Sequence, residues 1–406
     1  MKIFVQIASY RDPELKHTIK HCIERAKNPE NLVFGVCWQY DNSEDLNCLD
    51  EFEGLRLVKI PYKDSKGACW ARHKVNQLYN DEDFTLQIDS HMRFVVDWDE
   101  KMIEMWKSLN DPHAVLTTYP AMYRPDQKEE EWEKISHTIW VYNFRSDGQT
   151  EQKPHTPKDI STRDKPYKAI HVAAGFIFGP GSIIKDAPYD PEFYFSGEET
   201  SLAVRLFTKG YNLYHPHKVL IYHYYERKGE SKHWDDDKDW VKYNSTTTDR
   251  LNCLLGRNNN FDLSPYGLGT KRTLEDFKNY SGIDYANKKL NLDTLEGKEP
   301  PISDDPEKWI YQKATFKKKI EWNFNEIDKC DDPRFWAFII KDQNNNELFR
   351  KDVKFTENPD IFTGKQTSMS FEFEYFIPIQ KPDIFMIWPY SESKTWLNNK
   401  TWKIPQ

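Results

Sequence analysis

FTLQIDSH, residues 84–91, is a β-rich run that stops on a carboxylate and an imidazole two residues apart. Upstream of it the apolar spacing predicts a helix over about 66–79. Downstream, a helix near 98–109 leads into another strand, AVLTTYP (114–120). The chain before this region repeats the alternation. KIFVQIAS (2–9) reads as a strand, and Asp12 followed by Pro13 predicts an N-cap with proline at the first helical position. Leu15, Ile19, Cys22 and Ile23 then share one helix face, and LVFGVCWQ (32–39) and LRLVKIPY (55–62) are further strands. Strands and helices in this order fold as a mostly parallel, Rossmann-like sheet flanked by helices, an α/β architecture that binds ligands at the carboxyl ends of its strands. Asp89 and His91 stand at such an end.

Working outward, residues 122–168 lose periodicity and read as an excursion over the site. The pattern returns at IHVAAGFIFGPGSII (170–184), continues as a helix over 198–209 closed by Gly210, and ends in NLYHPHKVLIYHY (212–224), expected to complete the sheet. KEPPISDDPEK (298–308) reads as a boundary. Beyond it the period changes to 2, which predicts a small antiparallel β domain. The expected division is thus a catalytic domain over 1–300 and a β-sandwich-like accessory domain over 309–406. Six of the fourteen tryptophans (Trp309, Trp322, Trp336, Trp388, Trp396, Trp402) fall in this tail, where they can fill a small core or stack on sugars.

With 57 basic and 65 acidic residues the net charge is −8, so no basic excess points to a nucleic-acid or membrane partner. The first residues read as a strand rather than a signal peptide. No run approaches the roughly 18 apolar residues of a membrane helix. Six cysteines are scattered without a CxxC pair, which favours reduced thiols and the cytoplasm.

An aspartate and a histidine at one strand end can hold a divalent ion and leave positions open for a diphosphate. The same dipeptide spacing also occurs in ordinary solvated turns. A third metal ligand is expected in His223, at the end of KVLIYHYYER, because His215 and His217 start that strand and face the opposite sheet edge. Ala174 and Gly175 offer small residues where a sugar ring must approach the backbone, though tight helix–sheet packing uses the same residues. Glu198 and Glu199 open a helix. One of them complements its dipole, and together they are the candidate catalytic carboxylates.

FVQIASYRDPEL (4–15), FGVCWQ (34–39), GACWARH (67–73), LQIDSHMRF (86–94), FSGEETSLAVRLFTKGY (195–211), YHYYER (222–227) and YGLGTKRTLEDF (266–277) lie in order over the first two thirds of the chain. In these motifs the chain resembles the cytoplasmic hydroxyproline GlcNAc-transferases and, at greater distance, the mucin-type polypeptide GalNAc-transferases. The resemblance implies a GT-A fold, a UDP-sugar donor, UDP-GlcNAc in particular, and transfer with retention to hydroxyproline on a protein. Residues 122–168 carry no acceptor motif, so a glycan, another protein hydroxyl and a modified nucleobase are the alternative acceptors. It implies Mn2+, with Mg2+ as the alternative cation, held by Asp89, His91 and His223. The segment Ser9-Tyr10-Arg11-Asp12 is similar to the uridine- and phosphate-contacting loop of the relatives, and Arg72 matches an arginine near the diphosphate. Ser90, Ala174, Gly175, Arg227 and His233 join this donor-binding set. The tail after about residue 300 lies outside the resemblance.

Other classes fit less well. A nucleotidyltransferase would carry a glycine-rich phosphate loop after the first strand, where SYRDPE stands instead. A glycoside hydrolase needs two carboxylates and no metal–diphosphate site. A sugar-binding protein without activity would not need three candidate metal ligands. Residues 224–240, poor in apolar side chains, are expected to form a lid that orders when metal and UDP-sugar are bound, with Arg227 and His233 on the phosphates and Trp234 as a shield.

Overall fold

The first strand, β1 (Ile3–Tyr10), is buried along nearly its whole length, so both of its faces are covered. This computed structural model describes residues 1–404 apart from 146–147, 228–229, 304, 306–307, 311–312 and 377–380. Two compact units divide the chain, Met1–Lys308 and Trp309–Gln406.

In the first unit β1 is followed by α1 (Leu15–Arg25), β2 (Leu32–Tyr40), β3 (Arg56–Pro61), α2 (Ala68–Asn76), β4 (Phe84–Ile88), β5 (Met92–Phe94) and α3 (Trp98–Ser108). Then come β6 (Ala114–Thr117), β7 (Ala121–Met122), β8 (Thr138–Phe144), β9 (Thr150–His155), β10 (Tyr167–Ala169) and β11 (Phe176–Pro180). The remaining elements that matter for the site are α4 (Ile183–Asp186), α5 (Glu198–Thr208), β12 (Asn212–His215), β13 (Ile221–His223), α6 (His233–Asp236), α7 (Trp240–Leu254) and α8 (Leu274–Ser281). Eight strands form one sheet in the order β10-β12-β6-β11-β4-β1-β2-β3. The run β4-β1-β2-β3 is parallel, β11 is antiparallel to both neighbours, and β10 adds an antiparallel edge. This is the α/β, GT-A-like architecture expected from the sequence.

Alternation along β1 explains the layers. Ile3, Val5 and Ile7 face a core with Leu86, Ile88 and Phe178, covered by Leu15, Ile19 and Cys22 of α1 and Trp98 and Met102 of α3. Phe4 points the other way, to Cys37 and to Ala71 and Val75 of α2. Gly35 on β2, the register partner of Gln6, lies against the Phe4 ring, with which a Cβ there would collide.

Three sequence expectations change. Helix α1 starts at Leu15, two residues after the predicted first position, since Pro13 and Glu14 form a turn that leads into it, while Asp12 still accepts from the Glu14 N–H at 3.0 Å as a cap does. The 122–168 excursion contains β7, β10 and a hairpin of β8 and β9, and in β8 Ile139, Val141 and Asn143 alternate inward with period 2. The run 212–224 does not complete one sheet. Pro216, with no N–H to donate, follows β12, and β13 instead joins a second sheet in the order β5-β13-β7. Helix α5 stops as expected, with Gly210 at φ 95° just beyond its end.

In the second unit, Lys313–Glu321 pairs with Ser368–Phe376, while Pro333–Asp342 lies between Glu347–Lys354 and Pro382–Ser391 in a five-stranded antiparallel sheet. Phe316, Phe338, Phe371 and Phe385 share one core, and Trp322 and Trp336 fill it with them. Trp388 and Trp396 stack at 4.4 Å around a separate small cluster with Phe335.

Candidate functional site

The turn between β4 and β5 carries Asp89, Ser90 and His91, and two contacts fix it. The Thr18 hydroxyl of α1 donates to the Ser90 carbonyl at 2.8 Å and accepts from the Met92 N–H at 2.8 Å. Register does the rest: His223 pairs with Met92 across β13 and β5, and the Tyr224 N–H donates to the His91 carbonyl. Two histidines 132 residues apart are thereby brought together, with their Nε2 atoms 2.9 Å from each other. His223 Nε2 lies 3.2 Å from Asp89 Oδ2. Ligand atoms of Asp89, His91 and His223 all fall within 4.8 Å of one another.

This set fits a divalent cation. Two imidazole nitrogens at 2.9 Å cannot both carry a proton toward each other, so at least one lone pair points into the shared space. His91 Nδ1 donates to Asp12 Oδ2 at 2.7 Å, which turns its Nε2 lone pair inward. Gly175 walls the carboxylate side, where a Cβ would stand 2.8 Å from Asp89 Oδ2.

Charge is organised around the set. Burial works to raise the Asp89 pKa, but the His223 hydrogen bond and the Arg72 charge outweigh it and hold the carboxylate well below its usual range. Burial keeps His223 below the ordinary imidazole value, against the opposing pull of Asp89. Arg72 is buried on α2 and bridges two acids, with Nη2 2.9 Å from Asp89 Oδ1 and Nη1 2.7 Å from Glu198 Oε1. The Cys69 thiol donates to the other Glu198 oxygen at 3.0 Å. Glu199 accepts from the Ala174 N–H at 2.9 Å. Burial pushes Glu199 up to about 7, against that hydrogen bond, and the neighbouring Glu198 charge adds to the rise.

A cavity of about 330 Å3 opens over these groups. Tyr10, Arg72, Asp89, Ser90, His91, His223, Arg227 and His233 line it, so eight of the residues singled out in the sequence converge here. Others are placed elsewhere. Ser9 is fully buried beneath the cavity wall, its hydroxyl without a partner among the described residues. Arg11 turns outward to Asp41 at 3.1 Å and Asp236 at 2.8 Å. Ala174, Gly175, Glu198 and Glu199 are not among the lining residues, and Glu198 is engaged by Arg72. His233 is held at both ring nitrogens, Nδ1 2.9 Å from the Tyr194 hydroxyl and Nε2 3.1 Å from the Ser65 carbonyl, so neither is turned to a phosphate.

The described residues of 224–240 are fastened by polar contacts rather than apolar ones. Besides His233, Asp236 accepts from the Tyr10 hydroxyl at 2.7 Å and from Arg11, and Arg227 reaches Asp12 at 3.2 Å. Lys228 and Gly229 of this stretch lie outside the described residues. Phe195 and Trp234 stand exposed at the cavity rim, ring centroids 5.6 Å apart. Asp12, read from the sequence both as a cap and as part of the donor-contacting segment, also lines the cavity, as do Gln39 and Ser65, which sequence reasoning passed over. A second cavity of about 250 Å3 lies around Trp140, Arg163, Tyr167 and His215, and Arg163 is bonded there to Asp159 and Glu299.

A family model described as Glycosyltransferase (GlcNAc) matches residues 2–53 and 52–287. The chain belongs to that glycosyltransferase family. No curated protein matches it. Among solved structures it is similar to GalNAc-T7 with UDP, GalNAc and Mn2+, at 16% identity and a TM-score of 0.44 over 68% of this chain. It is also similar to S. aureus TarS 1-349 in complex with UDP-GlcNAc, at 12% identity and a TM-score of 0.38 over 60% of this chain. The chain spans 54% and 64% of the length of those two. Among the described residues no helix is long and apolar enough to cross a membrane.

Proposed function

We propose that the protein is a cation-dependent, retaining glycosyltransferase that moves N-acetylglucosamine from UDP-GlcNAc to a hydroxyl group, with hydroxyproline of a protein as acceptor. The observation that carries the cation is the convergence of Asp89, His91 and His223 at one point on the cavity wall. Those three side chains would hold Mn2+, or Mg2+ in its place. A divalent cation there neutralises the charge that develops on a departing diphosphate.

The chain's own groups account for the rest. Tyr10, Ser90, Arg72 and Arg227 line the donor cavity, and the two arginines supply positive charge for phosphate oxygens. Glu198 acts through Arg72, which it holds against Asp89. Glu199 is assigned to the sugar or acceptor hydroxyl, since a carboxyl with a pKa near 7 can take and return a proton at neutral pH. Donor sugar, retention and hydroxyproline rest on the resemblance in the motifs. A cytoplasmic site of action is supported by six free cysteines.

The test is release of UDP from UDP-GlcNAc, UDP-GalNAc and UDP-glucose, with Mn2+ or with a chelator, followed by mass spectrometry and anomeric analysis on hydroxyproline peptides. Mn2+-dependent release from UDP-GlcNAc and an α-linked product are expected. Release that ignores the chelator removes the cation from the reading, and preference for UDP-glucose removes the donor.

A further inference from the structure

Asp12 is the most heavily used carboxylate of the site and is only 3% exposed. Its Oδ1 accepts from the Glu14 N–H at 3.0 Å. Its Oδ2 accepts from the Ser90 hydroxyl at 2.6 Å, His91 Nδ1 at 2.7 Å and Arg227 at 3.2 Å. One side chain in the β1–α1 turn thus gathers the β4–β5 turn and the segment that follows β13. We propose that Asp12 is a positioning residue that fixes the His91 tautomer with Nε2 free toward His223 and Asp89, and docks Arg227 beside that ligand.

A neutral imidazole has one N–H and one lone pair, and which nitrogen carries the proton is set by the partner of the other. A carboxylate at Nδ1 holds the proton there. With that acceptor removed, His91 Nε2 can take the proton and donate it toward Asp89 or water, which closes the inward lone pair. Packing alone does not explain the residue, since a buried carboxylate is costly unless it is paired and hydrogen-bonded, and a small neutral side chain would fill the turn. The shared Oδ2 also joins two events. The oxygen that orients His91 is the one that Arg227 reaches, so the start of the 224–240 segment is anchored on the support of a metal ligand.

This inference rests on the cation reading, and its test separates the two. The full chain, metal-free and labelled with 15N in its histidines, is examined by long-range 1H–15N correlation under mildly alkaline conditions, and Mn2+ affinity is measured by calorimetry. In the unaltered protein His91 is expected as the Nδ1–H tautomer. Asp12→Ala is expected to shift it toward Nε2–H and to weaken Mn2+ binding by about 10- to 100-fold. Ser90→Ala, which removes another donor to the same oxygen, keeps the wild-type tautomer. Nε2–H as the main tautomer of the unaltered protein overturns the proposal even if Asp12→Ala fails to fold, as does an Asp12→Ala variant with unchanged tautomer and affinity. A tautomer that shifts in a protein that binds no Mn2+ supports Asp12 as the orienting group and refutes only the cation reading.

Discussion

Two pairs of buried histidines sit in the first unit and have opposite surroundings. His91 and His223 face each other at 2.9 Å, with Asp12 behind one and Asp89 beside the other. Among the described residues His171 and His215 bond to no carboxylate. His215 is held by the Thr117 carbonyl and the Ile139 N–H, and His171 has no partner for either nitrogen among the described residues. Burial lowers the pKa of His171 to about 3 and of His215 to about 4, so both are neutral core groups. Burial acts on both pairs. Carboxylates supplied by neighbouring turns are what distinguish the pair that could hold a cation.

Exchanging the roles of the pairs breaks the comparison most sharply. His223→Ala should lower Mn2+-dependent transfer by roughly 10²–10³-fold or more and abolish thermal stabilisation by Mn2+. His215→Ala should lower stability by about 1–3 kcal/mol, from its lost hydrogen bonds, and keep the Mn2+ response. Equal loss of the Mn2+ response in both variants would erase the distinction.

Arg72 tests what the carboxylates need in return. Arg72→Met leaves Asp89 and Glu198 buried without their shared cation, so denaturant unfolding should show a loss of about 3–5 kcal/mol, with Arg72→Lys between the two. An Arg72→Met protein as stable as the wild type would mean that the bridge contributes nothing.

Buried histidines and depressed carboxylates lose stability in different pH windows. His171 and His215 take up a proton on unfolding, so their contribution falls as pH drops from about 6.5 toward their folded values near 3 and 4. Asp12 and Asp89 are depressed below 3.8, so theirs is intact above that value and is lost only as pH falls further. His171→Phe, which leaves no hydrogen bond broken, should flatten the upper window by about 1–3 kcal/mol and leave the lower one in place. A pH-stability curve of His171→Phe that overlays the wild type contradicts this assignment. Glu199 gives the smallest effect. Its folded pKa near 7 lies above the free value of 4.5, so the wild type loses stability as pH rises from about 4.5 to 7, and above that range Glu199→Gln should be more stable by about 1–2 kcal/mol after allowance for partial exposure.

Much of the fold was legible because β1, β2 and β4 are continuous apolar runs, buried on both faces, with amphipathic helices between them. Asp89 and His91 were legible as a polar pair at the end of such a run, though a solvated turn has the same spacing, and the resemblance in the motifs is what singled them out. His223 could be reached only by asking which later strand ends on a possible ligand. Asp12 was read as a cap and as part of the phosphate-contacting segment, and it does accept from the Glu14 N–H, but its contacts with Ser90, His91 and Arg227 span 78 and more residues and leave no local trace. The break of 212–224 into two sheets stayed hidden because β-favouring residues, Leu213 and Tyr214 before Pro216 and Val219 to Tyr222 after it, read as one strand region. His233 shows the reverse error. A histidine in an acidic, polar stretch reads as free to meet a ligand, yet both of its nitrogens are spent on Tyr194 and Ser65.

Mn2+ titrated into the 15N-histidine-labelled chain tests the central claim most directly, since a paramagnetic ion broadens the imidazoles nearest to it first. The account predicts that the His91 and His223 signals disappear at low Mn2+ and that His171 and His215 persist, with the same order in the presence of UDP-GlcNAc. Retention of sharp His91 and His223 signals at saturating Mn2+, or their loss together with all the other histidines, would contradict it.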